Sequence, residues 1–246
     1  MQNTLIPLTR LLAFLVLANQ TAIAADSTRP PTIVLISGEY EYESARTLPV
    51  FKQHLETRYG FHCIYLERTK GEEIPGLTAL EKADLLVVFI RRMTLPEEQL
   101  GRFKKYLDSG KPLIGLRTAS HAFENWKDFD REVLGGNYHN HYGNDRAVTI
   151  TVPAEAAGHP ILNGVEHEFV AGGSLYLNTP LPPSSKVLLL GSVTNQPPEP
   201  VAWTHSYKGA RVFYTSLGHP KDFENPSSKR LLVNAIFWTL DRPVPD

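Results

Sequence analysis

The chain has 246 residues, 42% hydrophobic and 21% charged, with a formal net charge of -1. That is enough to bury a full core in one globular domain without staples, and it carries no basic stripe or long run of like charge that would fit nucleic acid as a partner. Its one cysteine rules out an intrachain disulfide.

In chain order, the first stretch reads as an export leader. Arg10 precedes the apolar run LLAFLVLA, and Ala22-Ile23-Ala24 supplies a small-residue cleavage pattern. Residues 1–24 are therefore expected to leave the mature protein, which works in the periplasm or is secreted, with no membrane attachment after cleavage; an uncleaved anchor is the alternative. TIVLISG (32–38) is a continuous apolar run, as in a strand covered on both faces. Residues 44–58 place Leu48, Phe51, Leu55 and Tyr59 on one helical face. FHCIYLE (61–67) follows as a buried strand and DLLVVFI (84–90) as the third, and Cys63 reads as a buried small hydrophobe. Leu100, Phe103 and Leu107 mark a second helix that Gly110 ends. PLIGLR is a fourth strand. Strands alternating with helices predict a mostly parallel sheet with helices on both faces. In the second half RAVTITV, KVLLLGS, PVAWTH and ARVFYTS read as strands, with Lys208-Gly209 turning a hairpin. A last helix covers roughly 226–240, and residues 135–145, 153–186 and 194–200 read as long loops. One α/β domain over 30–242 is expected.

In such a sheet, ligands bind beyond the carboxyl ends of the strands. That rule selects Glu39, Tyr40, Glu41 and Tyr42 after the first strand, Arg91 and Arg92 after the third, and Arg117, Thr118, Ser120 and His121 after the fourth. If ARVFYTS is also parallel, it adds His219 and Asp222. Each has a plainer alternative. The acids suit a helix N-terminus, Thr118 and Ser120 suit caps, and Arg91-Arg92 reads as an exposed pair beside a loop. His121 opens a helix after a strand, where the dipole keeps imidazole neutral. His219 has Asp222 close enough to orient its ring. In GGNYHNHYGND (135–145), extended backbone points His139 and His141 to one side. With Tyr138 they suit a sugar, or a divalent metal such as zinc with no third ligand fixed by spacing.

ISGEYEY, GLRTASHAF, GGNYHNHYG, GHPILNGV, PVAWTH and RVFYTSLGHPKDF, with the final NAIFWTL helix, together resemble the trehalose-utilisation (ThuA-like) family over about 30–240. The resemblance implies a three-layer fold similar to class I glutamine amidotransferases, a flavodoxin-like sheet between helices. It also implies a setting in sugar metabolism, including trehalose and 3-keto-disaccharides. In those amidotransferases the turn after the equivalent strand carries a cysteine; here GLRTA puts Arg117 there, which stays protonated and attacks no carbonyl. His219 resembles the triad histidine, and Asp222 replaces its acidic partner. The expectation is an enzyme acting on a sugar or keto-sugar by isomerisation, elimination or hydrolysis. His121, His219 and Glu41 would serve as acid–base groups, and Arg117 would hold developing charge. Glu39, Tyr40, Thr118, Tyr138, His139, His141 and Asp222 would contact the ligand. A non-catalytic carbohydrate-binding protein is the alternative, and a homo-oligomer or a sugar dehydrogenase partner stays open.

Overall fold

The apolar runs of the first half become the centre of one large sheet. A computed structural model describes residues 29–245; the expected leader and cleavage site lie outside the described residues. Strands β1 (Thr32–Gly38), β2 (His62–Glu67), β3 (Leu85–Ile90) and β4 (Leu113–Leu116) alternate with helices α1 (Ser44–Tyr59) and α2 (Glu97–Asp108). The later strands are β5 (Asn140–His141), β6 (Val148–Thr151), β7 (Glu168–Ala171), β8 (Tyr176–Leu177), β9 (Lys186–Ser192), β10 (Glu199–Tyr207) and β11 (Ala210–Thr215). Helices α3 (Pro220–Glu224) and α4 (Pro226–Thr239) close the fold.

Nine strands pair in the order β2-β1-β3-β4-β11-β10-β9-β6-β7. The first five are parallel, and the remainder join antiparallel. Alternation along β1 feeds two cores. Ile33 and Leu35 pack with Leu48 and Phe51 of α1 and Leu231 and Ile236 of α4. Val34 and Ile36 pack on the other face with Leu100, Phe103 and Leu107 of α2. Helices therefore cover both faces, as the alternating pattern required.

The β10–β11 hairpin turns on Lys208 (φ 50°) and Gly209 (φ 81°) between the paired Tyr207 and Ala210, the left-handed pair that a two-residue hairpin loop demands. Two sequence expectations change. FHCIYLE is the sheet edge, so β2 is only half-buried, although Cys63 itself is buried, which pushes its thiol up to about 12. The stretch 153–186 is not plain loop: it contributes edge strand β7 and the short β8, which pairs with β5. No helix among the described residues is long and apolar enough to cross a membrane.

Candidate functional site

Since β1, β3, β4 and β11 run parallel, their carboxyl ends open on one rim. Arg117 follows β4 in a left-handed turn (φ 42°), a conformation that costs a non-glycine residue about 1 kcal/mol. Gly218 makes room for it: a Cβ there would stand 2.9 Å from the Cβ of Arg117. Arg117 is 1% exposed, and its guanidinium is held inside the protein. It donates to the Ser216 carbonyl at 2.6 Å and to Ser174 Oγ at 3.2 Å. The Tyr42 and Tyr176 rings lie 4.1 and 4.6 Å from its central carbon, favourable cation–π distances. Burial works against the charge, yet Tyr176, Tyr42 and Asp222 hold its pKa above the ordinary arginine value. The result is a Tyr42–Arg117–Tyr176 stack, with a hollow beyond each end.

The first hollow, about 520 Å³, is lined among others by Arg92, Ser120, His121, Trp126, Asp130 and Tyr138. His121 stacks on Tyr138 with centroids 4.6 Å apart, and Tyr138 meets Tyr176 at 4.5 Å with the rings tilted by 45°. Ser120 Oγ donates to the Arg117 carbonyl (3.2 Å) and lies 3.1 Å from His121 Nδ1. A hydroxyl has one proton; with that proton given to the Arg117 carbonyl, Nδ1–H is the donor to Ser120 and Nε2 keeps its lone pair. Burial, reinforced by Arg91, Arg92 and Arg117, pulls the His121 pKa down to about 3. The imidazole is neutral at any physiological pH, with its basic nitrogen fixed by a hydrogen bond.

The second hollow, about 390 Å³, is lined among others by Glu41, Tyr42, Arg146, Gly172, His219 and Lys221. Here the expected histidine–aspartate pair takes another form. Asp222 Oδ2 accepts from the backbone N–H groups of Gly218 and His219, both at 2.9 Å, and Oδ1 from Gly172 at 2.6 Å. It holds no imidazole. His219 Nδ1 instead accepts from Lys221 N–H at 3.2 Å, closing a capping box on α3. The cause is local: standing three positions apart, at N-cap and N3, the two side chains cap the helix start.

The other selected residues fall as follows. Both carboxylate oxygens of Glu39 are taken by the N–H groups of Tyr42 (2.6 Å) and Ser44 (2.7 Å), where Glu43 at the start of α1 makes no side-chain cap. Glu41 pairs with Arg91 at 2.9 Å. Tyr40 turns outward and donates to the Thr69 carbonyl. Thr118 is fully buried with its hydroxyl unpartnered. Arg117 lines neither hollow; its charge acts from inside the wall. His139 and His141 are exposed, and each donates Nδ1–H to a backbone carbonyl, of Asn137 (3.0 Å) and Tyr142 (2.7 Å). That leaves Nε2 free on both, the nitrogen a sugar hydroxyl or a metal would use. Among the described residues, no three His, Cys, Asp or Glu side chains gather as metal ligands.

The model of the family described as trehalose utilisation (ThuA) matches residues 33–239. The chain belongs to the ThuA family. Two solved relatives share the fold. A ThuA-like protein from Bacteroides uniformis ATCC 8492 aligns with a TM-score of 0.67 at 22% identity, over 88% of this chain and 94% of its own. One from Parabacteroides merdae ATCC 43184 aligns at 0.70 and 18% identity, over 89% and 93%. A β-galactosidase from Rahnella sp. R3 carries a similar region, at 0.59 and 13% identity, over 88% of this chain and 33% of that one. Comparison with curated proteins finds no match. ThuA membership places the chain in carbohydrate metabolism and leaves the chemistry to the residues.

Three residues around these hollows are missed or set aside by the sequence reading. Tyr176 arrives from β8, inside the stretch read as loop. Arg92, read as exposed flank, lines the His121 hollow with its own backbone left-handed (φ 47°). Asp130 comes from a single turn, Asp130–Leu134, with no periodic signal. Only the following Gly135-Gly136 hinted at a close backbone approach there.

Proposed function

We propose that this ThuA-family chain is an exported enzyme that moves a proton beside the carbonyl of a sugar or keto-sugar, without a cysteine nucleophile. His121 is the base, acting through Nε2. The observation that carries this is its wiring: a neutral imidazole, Nδ1 tied to Ser120, stacked on Tyr138 in a hollow that Arg92 also lines. Negative charge developing on an enolate oxygen would face the Arg92 cation directly and the buried Arg117 through the wall, the electrostatic support such a step requires. Tyr138 and Trp126 offer aromatic faces to the C–H surface of a sugar ring. Isomerisation and elimination of a keto-sugar each begin with that proton transfer, as does hydrolysis that runs through elimination and re-addition of water. The leader-like residues 1–24 support work in the periplasm or outside the cell.

The test is a thermal-shift and turnover screen with trehalose, sucrose and their 3-keto forms. We expect at least one keto form to raise the melting temperature by linkage and to be converted. His121→Gln should bind it still and lose about 10²-fold or more of the rate. Binding without turnover in the unaltered protein would make the chain a carbohydrate-binding module instead. A flat screen would end both.

A further inference from the structure

The His121 hollow holds a second titratable group that the strand-end rule does not select. Asp130 is 7% exposed, and the turn that carries it is firmly anchored. Phe129, Val133 and Leu134 are buried, and the Trp203 indole donates to the Leu134 carbonyl at 2.8 Å. The backbone closes over the carboxyl group: Gly136 N–H donates to the Asp130 carbonyl at 2.9 Å, and any Cβ at Gly136 would overlap the carboxylate. Oδ2 accepts the Tyr138 N–H at 2.8 Å. Oδ1 is buried with no partner.

An orphaned buried oxygen is uncommon, and costs about 1–3 kcal/mol when nothing compensates it. No cation compensates this one. The neighbouring Arg131 turns out to Asp128 at 3.1 Å, and Lys127 pairs with Glu124. The groups beside the carboxyl are Tyr138, whose N–H it accepts, and the buried Tyr214 of β11 behind it; His121 lines the same hollow. Burial therefore dominates and pushes the carboxyl up to about 7, against the Tyr138 hydrogen bond. Oδ2 must remain the acceptor for Tyr138, so the proton of the neutral form sits on Oδ1. Tyr138 thus links both groups: its amide fixes Asp130 and its ring fixes His121.

We propose that Asp130 is the acid partner of His121, delivering its Oδ1 proton to the carbonyl oxygen of an enolisable keto-sugar while His121 Nε2 takes the proton from the adjacent carbon. This assignment rests on the proton-transfer reading of the same hollow and narrows its substrate to an α-hydroxyketone. The step balances within the site. The C–H bond breaks and its electron pair forms the C=C bond. The carbonyl π pair moves to oxygen, which gains the Asp130 proton. The products are an enediol, an imidazolium and a carboxylate, with no redox change.

Solvent deuterium exchange into the carbons flanking the ketone of 3-keto-trehalose, followed by NMR, tests the pair. Asp130→Asn keeps an acceptor for the Tyr138 N–H and removes the transferable proton. We expect the 3-keto sugar to bind within threefold of the unaltered protein and exchange to fall about 10²-fold or more. The alkaline limb of the rate profile near pH 7 should vanish with it. Exchange within fivefold of normal in Asp130→Asn, with His121→Gln inactive, overturns the Asp130 assignment and leaves the His121 reading standing. Binding without exchange in the unaltered protein overturns both. Should Asp130→Asn not fold, a ¹³C titration of the unaltered carboxyl decides: an ordinary value near 4 overturns the assignment, and one near 7 supports it.

Discussion

Each of the two hollows flanking the Tyr42–Arg117–Tyr176 stack is lined by a histidine with a buried aspartate near it, and the two differ in how those groups are wired. In one, Asp222 takes three backbone N–H groups and His219 Nδ1 takes a fourth. Both carboxylate oxygens and His219 Nδ1 are engaged by backbone donors that fix the start of α3 and tie it to Gly172, and the neutral His219 ring presents Nε2–H. In the other, Asp130 has one N–H partner and one bare oxygen, and His121 keeps Nε2 as a lone pair. The fold satisfies one pair at the expense of its reactivity and leaves the other incomplete. A group whose hydrogen bonds are unfinished in the resting protein has them to offer a ligand.

The largest expected effect tests the wall itself. Arg117→Leu would leave the Ser216 and Ser174 carbonyls unpaired in a dry interior and remove both cation–π contacts. We expect a loss of about 3–5 kcal/mol in denaturant unfolding. A loss under about 1 kcal/mol would mean the stack does not separate two hollows at all.

Next come the two aspartates, which should answer the same substitution with opposite signs. Asp130 has a folded pKa raised to about 7, above its ordinary value near 4. An acid raised in the folded state gives its full stabilisation below the unfolded value and loses it as pH rises through the folded one. Ionisation of Asp130 thus weighs against the fold above pH 7. Asp130→Asn should therefore be more stable than the unaltered protein at pH 8, by about 2 kcal/mol or more, with the difference shrinking towards pH 4. Asp222→Asn turns an amide NH₂ against a backbone donor and should lose about 1–3 kcal/mol. Thermal unfolding of both variants at the two pH values reads the comparison directly, and shifts of the same sign at pH 8 would break it.

What the sequence discloses follows from the same physics. Continuous runs such as TIVLISG and DLLVVFI announce strands buried on both faces, so the parallel half and its rim are legible, and with them Arg117, His121 and His219. Strands β5, β7 and β8 have two to four residues each; their pairing is a tertiary event without local periodicity, which hides Tyr176. Asp130 is silent for a related reason. Its character comes from burial by Phe129, Leu134 and Tyr214 and from an oxygen left without a donor, and none of these is a sequence pattern. Asp222 misleads in the opposite direction. A histidine and an aspartate three residues apart fit an orienting pair and a capping box equally well, and only coordinates show which N–H groups the carboxylate meets.

His219→Ala is the smallest change and the sharpest test of that distinction. Nδ1 accepts the Lys221 N–H, while the Asp222 carboxylate, untouched by the substitution, still collects the N–H groups of residues 172, 218 and 219. Losing one cap contact of this kind costs about 0.5–1 kcal/mol. The ring also meets Tyr42 edge-on at 6.3 Å, a contact too long to add much. Deuterium exchange into 3-keto-trehalose should stay within threefold of normal, because neither His121 Nε2 nor Asp130 Oδ1 touches the second hollow. A tenfold or larger fall with the melting temperature held would mean that a ligand reaches round the stack to both histidines, and the two hollows would then have to be treated as one site.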